Sequence, residues 1–158
     1  MNIRRFKPSD AKQVAQLFHD TVRTVNREDY SREQVEAWAP DDINFRDWVV
    51  QCSQKYTIVA EQNQVILGFG ELESDGHIDC FYIHRDYQRR GVGRTLYQAL
   101  ETRAREWHVP SLKVEASITA LSFFREMGFS IIKKQRVLTR GVTLTNFKMR
   151  KQLGRKSY

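Results

Sequence analysis

The segment with the clearest chemical potential is Gln88-Arg89-Arg90-Gly91-Val92-Gly93. It follows an apolar run, Ile78–Ile83, and it precedes apolar residues at helical spacing that predict a long helix. Gly91 and Gly93 lack a Cβ atom, so the backbone there can turn tightly and approach a ligand closely. Backbone N–H groups at the start of a helix favour an anion, and the neighbouring arginines add positive charge. The segment therefore predicts a phosphate-binding loop.

A second motif lies about 30 residues further along the chain, at Phe123-Phe124-Arg125-Glu126-Met127-Gly128-Phe129. Together the two motifs resemble the GNAT superfamily of N-acetyltransferases over residues 2–150. The first is similar to its pyrophosphate-binding signature, Q/R-x-x-G-x-G/A, and the second to its F-Y-x-x-x-G-F signature. The stretch from Thr24 to Pro40, with its Asn26, Tyr30 and Trp38, also looks like the YafP-like bacterial subgroup.

This resemblance implies a fold and a mode of cofactor binding. We expect an α/β domain with a twisted mixed sheet of about six or seven strands and helices on both faces. Acetyl-CoA would lie in a cleft beside the strand that precedes the loop, with its pantetheine arm along that strand and its pyrophosphate on the loop. The residues implied to contact it are Phe81, Ile83, Gln88, Arg89, Arg90, Gly91, Val92, Gly93, Arg94, Thr95, Ser117 and Phe124.

Acetyl transfer to an amine needs a base, because a free alkylamine has a pKa of about 10.4. Relatives often place a carboxylate or histidine early in the strand before the loop, where this chain has His77 and Asp79. Side chains alternate along a strand, so we expect both to share one side with Phe81. The alternative is that Asp79 makes a structural hydrogen bond and that His77 lies at an exposed strand end. Glu71 and Glu73 are reserve candidates.

The second motif departs from the family pattern where many relatives carry a tyrosine near the sulfur of CoA. Phe124 occupies that place here and has no proton to give. Tyr82 is a possible substitute, although a packed aromatic ring is the alternative role. The usual asparagine before that helix is replaced by Ser117, whose hydroxyl can cap the helix, contact CoA, or both.

Contacts to the acceptor amine should come from the segment between the first two strands. The candidates are Asn26, Tyr30 and Trp38, and Glu71 is added from a later strand. Trp38 has simple core packing as its alternative role, and for Tyr30 the choice stays open. The identity of the amine is not specified by these residues.

The pattern of apolar residues predicts the element order β-αα(α)-βββ-α-β-α-ββ. One helix is expected to open at Asp41-Asp42, with Phe45, Trp48 and Val49 on one face. In the last strand, 142–150, the apolar positions change from even to odd numbers, which predicts a bulge near Asn146.

Length and composition restrict the class of protein. The 158 residues fit one domain, 1–158, with a basic tail at about 151–158. The net charge of +7 favours an anionic partner such as CoA. Two cysteines form no disulfide framework, and no apolar run suits a membrane span or signal peptide, so a cytoplasmic protein is expected. A bacterial protein is what the resemblance to the YafP-like subgroup implies.

We therefore predict an N-acetyltransferase that moves an acetyl group directly from acetyl-CoA to a primary amine in a ternary complex. The alternative is a non-catalytic acyl-CoA-binding sensor on the same fold. Nucleic acid is an unfavoured partner, because no helix-turn-helix, zinc or RNP-type motif is present. No metal cofactor is expected, and the final strands could support a homodimer.

Overall fold

The core of the fold is one seven-stranded sheet, seen in a computed structural model that describes residues 1–154. Along the chain the strands are β1 (Asn2–Arg5), β2 (Tyr56–Gln62), β3 (Val65–Leu72), β4 (His77–Ile83), β5 (Ser111–Ser117), β6 (Ser130–Thr139) and β7 (Val142–Gln152). In space they lie in the order β1-β2-β3-β4-β5-β7-β6. All neighbours are antiparallel except β4 and β5, which run parallel. The predicted mixed sheet is therefore confirmed.

Helices cover both faces of this sheet, as expected. They are α1 (Ala11–Thr24), α2 (Arg32–Trp38), α3 (Trp48–Ser53), α4 (Val92–Glu106) and α5 (Leu121–Glu126). One face carries α4 and α5, packed around Leu96 and Phe124. The other face carries α1, α2 and α3, packed around Val14 and Phe18. Burial of apolar side chains on both faces is the main source of stability.

The strand β7 buries side chains on both faces, and this corrects the bulge predicted near Asn146. Leu144 packs in the α1 layer, whereas Met149 packs in the α4 layer. Residues an odd number of positions apart in a regular strand point to opposite faces. The change from even to odd apolar positions therefore reflects one regular strand with a core on each face, and it requires no bulge. The pairing of β5 with β7 is continuous through Asn146, and the irregularity lies on β6, between Ile131 and Lys133.

The helix α3 begins later than predicted. Asp47, not the Asp41-Asp42 pair, caps it by accepting a hydrogen bond of 3.1 Å from the backbone N–H three residues later. Asp42 instead accepts from the backbone N–H of Asn44 at 2.9 Å, which forms a local turn that competes with helix. Trp48 is buried but Val49 is 40% exposed, so the predicted shared face is also wrong for Val49.

The parallel pair β4–β5 is joined only at its beginning. His77 pairs with Lys113 and Ile78 with Val114, and the strands separate beyond that point. The rest of β4 therefore has one side without a strand partner within the described residues. A cleft opens there, next to the segment that leads into α4.

A β-bulge in β4 changes which way its side chains point. Between Ile78 and Phe81, two steps along β3 match three steps along β4. Ile78 and Phe81 consequently both pack in the α4 layer, while Tyr82 packs in the α1 layer. His77 precedes Ile78 and points to the opposite face. A polar atom of His77 lies within 4.8 Å of one of Asp79, so these two share a side as predicted, but the prediction that Phe81 joins them is wrong. Bulges of this kind are over-represented next to active sites because they redirect side chains.

The end of the chain is only partly described. β7 continues to Gln152, so the first residues of the predicted basic tail belong to the sheet, and residues 155–158 lie outside the described part. In residues 1–154, none of the helices combines the length and the apolar composition needed to cross a bilayer.

Candidate active site

The space between the separating halves of β4 and β5 is a cleft of about 1010 Å³, called here the β4–β5 cleft. This is at the upper end of the range for small-molecule sites, about 300–1,000 Å³. Its walls come from β4, the loop after it, and the first turns of α4 and α5. The predicted site residues that line it are Asn26, Phe81, Ile83, Gln88, Arg89, Gly91, Gly93, Arg94 and Ser117.

The loop before α4 has the backbone conformation of an anion site. Arg89 has a φ of +58° and Gly91 a φ of +83°, two positions in the left-handed region separated by one residue. Such alternation turns successive N–H groups toward a common point, and α4 adds the unpaired N–H groups of its first turn. The Gln88 side chain ties the loop to β4 through a hydrogen bond of 2.7 Å from Nε2 to the carbonyl of Ile83.

The arginines around the loop differ in where they point. Arg85, Arg89 and Arg94 line the β4–β5 cleft, so its wall carries three guanidinium groups. Arg90 instead lies over the ring of Tyr87, with its guanidinium carbon 5.3 Å from the ring centre. Sequence patterns could not separate these residues, and Arg85, from the turn between β4 and the loop, was not among the predicted ones.

The free side of β4 presents backbone hydrogen-bonding groups to the cleft. The backbone N–H of His84 donates to the carbonyl of Leu67 on β3 at 2.8 Å. This bond shows which residues of β4 direct their backbone groups toward β3. In an antiparallel strand, the backbone N–H and C=O groups of every second residue point away from the paired strand. The backbone groups of Phe81 and Ile83 therefore face the cleft. The carbonyl of Ile83 already accepts from the loop and from Thr21 Oγ1 at 3.0 Å. The N–H of Ile83 and both groups of Phe81 then remain to face a ligand.

Four of the predicted CoA-contacting residues do not line this cleft. Arg90 is one, and Val92 and Phe124 are 4% and 2% exposed, inside the α4 layer. Thr95 donates its hydroxyl to a carbonyl within the first turn of α4. The ring that faces the cleft is that of Phe123, which stacks on Phe81 with 5.4 Å between ring centres. The family's tyrosine position, Phe124, is thus a core residue here.

A second cavity of about 180 Å³, called here the aromatic pocket, lies beside the first. Tyr82 and Ser117 line both cavities, so these two residues mark the place where they meet. Burial raises the pKa of Tyr82 well above its ordinary value of 10, so its hydroxyl stays protonated. The remaining lining residues are Tyr30, Trp38, Glu115, Val137, Thr139, Leu144, Thr145 and Asn146.

Two predicted acceptor-contacting residues, Tyr30 and Trp38, form one wall of the aromatic pocket. The hydroxyl of Tyr30 donates to the carbonyl of Thr145 at 2.6 Å and accepts from the backbone N–H of Ile118 at 2.9 Å. Tyr30 therefore has a structural role as well, joining the segment before α2 to β7 and to the end of β5. The ring of Trp38 meets that of Tyr30 edge to face, 5.2 Å between centres.

The third, Asn26, lies in the β4–β5 cleft and not in the aromatic pocket. Its Nδ2 atom is 3.4 Å from the hydroxyl oxygen of Ser117. That hydroxyl also accepts from the backbone N–H of Ala120 at 3.0 Å and so holds the turn that precedes α5. Ser117 thus combines a turn-stabilising contact with a position at the junction of the two cavities.

Glu71 and Asp79 belong to a compact group of charges, called here the Glu71 cluster, with Arg46 and Lys55 as its cations. Glu71 is fully buried and accepts a hydrogen bond of 2.9 Å on each oxygen from Arg46. Lys55 lies 3.1 Å from Glu71 and also donates to Asp79. Burial, reinforced by Glu71, raises the pKa of the adjacent Cys52 thiol to about 12. Neither carboxylate lines either cavity.

His77 lies in a different arrangement with Glu73 and Glu115, called here the His77 cluster. Its Nδ1 is 2.6 Å from Glu73 and its Nε2 is 2.5 Å from Glu115. Burial lowers the pKa of His77, but the hydrogen bonds to the two carboxylates outweigh it, so the pKa is raised above its ordinary 6.5. Glu115 lines the aromatic pocket, which connects the cluster to that cavity.

Sequence reasoning missed Glu115, which lies in β5 (Ser111–Ser117). A signal was available in its alternation. Leu112, Val114 and Ala116 are buried, whereas Glu115 is exposed and Ser117 half-buried. A period of two indicates a strand with one polar face, and that face meets the aromatic pocket.

Comparison with known proteins agrees with this geometry. A family model described as an acetyltransferase (GNAT) domain matches residues 26–151. The uncharacterized N-acetyltransferase YafP of Escherichia coli K12 is 35% identical over 150 residues, covering 95% of each chain. A crystal structure of a GNAT acetyltransferase from Rhodopseudomonas palustris is 36% identical, with a TM-score of 0.90 over 96% of this chain and 95% of that one.

The fold is shared more widely. The structure of yncA from Salmonella typhimurium, a putative acetyltransferase with its cofactor acetyl-CoA, is 18% identical and has a TM-score of 0.68, covering 100% of this chain and 96% of that one. The resemblance read from the two motifs, including that to the YafP-like subgroup, is confirmed. The chain therefore belongs to the GNAT acetyltransferase family and is an acyltransferase.

Proposed function

We propose that this protein transfers an acetyl group from acetyl-CoA directly to a primary amine while both substrates are bound. The observation that supports this most strongly is the meeting of two cavities at Tyr82 and Ser117. One cavity carries the anion-binding loop and the other does not, so donor and acceptor have separate places. Holding both reactants at one junction removes much of the entropic barrier of a two-substrate reaction.

On the donor side, acetyl-CoA supplies an acyl group activated as a thioester. Its pyrophosphate fits the loop, where Arg89 and Gly91 turn N–H groups inward and where Arg85 and Arg94 face the cleft. The N–H and C=O groups on the free side of β4 are placed to pair with the amides of the pantetheine arm. The residues assigned to this side are Phe81, Ile83, Arg85, Gln88, Arg89, Gly91, Gly93, Arg94, Ser117 and Phe123.

On the acceptor side, the incoming ammonium must lose a proton before it attacks. We assign this proton to the His77 cluster: Glu115 accepts it at the pocket wall and His77, when neutral, takes it further. Asp79 is less suited to the task, because Lys55 neutralises it outside both cavities. The leaving thiolate has an ordinary pKa of about 8.5 and needs little help. Tyr82, with its raised pKa, acts at the junction as a hydrogen-bond donor.

A substitution in the loop tests the donor site. Gly91→Glu places a carboxylate where the phosphates should bind and forces a non-glycine residue into a φ of +83°. We expect the Kd for acetyl-CoA, measured by calorimetry, to rise at least about 100-fold, or about 2.7 kcal/mol. The fold should persist, because a Cβ at this position meets no atom within 4 Å.

Gly141→Glu is the matched control. Gly141 has a φ of +80°, and a Cβ there would likewise meet no atom within 4 Å, but it lies in the β6–β7 turn. It therefore carries a similar backbone cost without touching the β4–β5 cleft. If both variants bound acetyl-CoA equally well, the loop assignment would be wrong.

We also propose that the protein works in the bacterial cytoplasm and forms a homodimer. The dimer proposal is supported by β6, an edge strand of the sheet that exposes Ile132 and Leu138 at 54% and 76%. An open edge with apolar side chains is suited to pairing with a second copy. Sedimentation velocity checks this: Leu138→Lys should shift a dimer toward monomer, and a wild-type chain that sediments as a monomer would contradict it.

A further inference from the structure

The aromatic pocket restricts the acceptor more closely than the family does. Its wall contains three aromatic rings, with Trp38 packed edge to face against Tyr30 at 5.2 Å and against Tyr82 at 6.4 Å. Leu144 and Val137 add apolar surface from the hairpin. The rings suit the apolar part of a ligand and their faces also attract a cation, while Ser117, Thr139, Thr145 and Asn146 add polar groups.

The charged group in the pocket wall is acidic, although the chain as a whole carries +7. Among the described residues that line the pocket, Glu115 alone is charged. Behind it, His77 is shared between Glu115 and Glu73, so two carboxylates face one imidazole. The cluster is therefore negative even when the imidazole is protonated. A cation is attracted there, and a ligand carboxylate beside Glu115 is repelled.

Side-chain hydrogen bonds fix the wall of the pocket to the hairpin. Three hydrogen bonds join the α2 region to the β6–β7 hairpin: Arg140 Nη1 to the carbonyl of Ala37 at 2.8 Å, Gln34 Nε2 to the carbonyl of Thr143 at 3.0 Å, and the Tyr30 contact described above. A polypeptide acceptor needs an open groove on both sides of its reactive side chain. This arrangement instead suits a small molecule that enters whole.

The volume sets the size of that molecule. An apolar cavity of about 150 Å³ holds a benzene ring. The aromatic pocket, at about 180 Å³, has room for a single ring with a short side arm. An acceptor of about ten non-hydrogen atoms would fill it and reach the junction at Tyr82 and Ser117.

We propose that the acceptor is a small primary amine with an apolar body and no carboxylate, bound in the aromatic pocket with its ammonium facing Glu115. This rests on the proposed function, because the pocket is assigned there as the acceptor site. Glu115 then determines specificity as well as receiving the proton. Amino acids and lysine-containing peptides are poor acceptors for the same reasons of charge and of the fixed pocket wall.

The test compares two acceptors that differ only in one carboxylate, phenethylamine and phenylalanine, with a lysine-containing peptide as the third. Release of free thiol from acetyl-CoA gives kcat/KM for each. We expect phenethylamine to exceed phenylalanine and the peptide at least about 30-fold, or about 2 kcal/mol. Equal or better turnover of phenylalanine or of the peptide would overturn the proposal.

Binding separates this inference from the proposed function. Calorimetry of phenethylamine with the protein–CoA complex should give a Kd that rises about tenfold in Glu115→Gln. Glu36→Gln is the matched control, because Glu36 is an exposed carboxylate on α2 that pairs with Arg32. Unchanged affinity for CoA shows that the Glu115 variant is folded.

Each outcome of the binding experiment decides one claim. Phenethylamine binding that depends on Glu115 but gives no thiol release supports the acceptor class and contradicts the proposed catalysis. Absent binding, or binding that Glu115→Gln leaves unchanged, overturns the acceptor class. In that case thiol release with some other amine would still sustain the proposed acetyl transfer.

Discussion

Two clusters of carboxylates flank the first half of β4, and they differ in what balances their charge. In the Glu71 cluster, a guanidinium and an ammonium oppose two carboxylates, and Glu71 is fully buried. In the His77 cluster, two carboxylates share one imidazole, and their side chains are 41% and 43% exposed. The first cluster is neutral and holds a buried carboxylate, whereas the second is negative and reaches the aromatic pocket. The two meet at Asp79, which has a carboxylate oxygen within 4.8 Å of polar atoms of Glu73 and His77.

The comparison teaches that position along a strand does not identify a catalytic carboxylate. Asp79 occupies the place where relatives often carry a base, yet its neighbour Lys55 neutralises it. Glu115 comes from another strand and reaches the pocket because β4 and β5 separate after two pairs. The two carboxyl groups thus have different surroundings, and this difference is why we propose Glu115 and not Asp79 as the proton acceptor.

The largest expected effect comes from breaking the neutral cluster. Glu71→Gln leaves the guanidinium of Arg46 buried without its full counter-charge, because both carboxylate oxygens accept from it. Removing one partner of a buried ion pair lowers the free energy of unfolding by about 3–5 kcal/mol. Urea denaturation measures this loss.

Asp41→Asn is the control, since the carboxylate of Asp41 is 97% exposed, and it should change stability by less than about 0.5 kcal/mol. A loss below about 1 kcal/mol in Glu71→Gln would remove the distinction between the clusters.

Glu115→Gln should affect catalysis instead. The side chain is 43% exposed and its partner is His77, so stability should fall by about 1 kcal/mol or less. Loss of the group that accepts the proton should lower kcat/KM about 100-fold, or about 2.7 kcal/mol. Steady-state thiol release at saturating acetyl-CoA, with the amine varied around and below its KM, measures it. Full activity in this variant would move the base to another residue.

His77 should link stability and activity to pH in opposite directions. Its folded pKa is raised by Glu73 and Glu115 against the effect of burial, so its stabilising contribution is complete below the ordinary pKa of 6.5. That contribution is lost as the pH rises through the raised pKa, where the neutral ring becomes available as a base. The stability difference between wild type and His77→Gln should therefore shrink with rising pH, while wild-type kcat/KM rises. Urea titrations at about pH 5.5 and 9 measure the stability difference, and a pH–rate profile measures kcat/KM. A difference that grows with pH would contradict the assignment.

The smallest effect is expected for Asp79→Asn. Its carboxylate is 36% exposed and pairs with Lys55, so the loss of stability should be about 1 kcal/mol or less. If kcat/KM stays within about threefold of wild type, the contrast between the clusters is sharpened. A fall comparable to that of Glu115→Gln would return the base to Asp79, the position that the family resemblance suggested.

The sequence predicted those features that depend on local pattern. The strand that ends at Ile83 and the long helix α4 after the glycines follow from the apolar pattern and from the composition of the loop between them. The side on which Phe81 lies did not follow, because one extra residue in β4 reverses its direction relative to His77 and Asp79. The position of a bulge depends on how the strand pairs with its neighbour, so it cannot be predicted from the local sequence of the strand.

The candidate site shows the same limit. The loop was predicted because glycines and arginines at a strand–helix junction have a local physical meaning. Glu115 and the junction at Tyr82 and Ser117 were not predicted, because they arise only when β4, β5 and the β6–β7 hairpin come together. Long-range register, not residue type, decides which polar groups share a cavity.

The shared wall of the two cavities has a consequence for inhibition. A single molecule that joins an amine covalently to the sulfur of CoA would occupy both cavities across Tyr82 and Ser117. Linking two ligands makes the second binding event intramolecular, so affinity can exceed that of either part by about 10²–10⁴-fold when the linker fits the span. A series of such bisubstrate compounds, with the amine portion varied, can be compared by affinity. The compound that binds most tightly is the one that best matches the distance between the two sites.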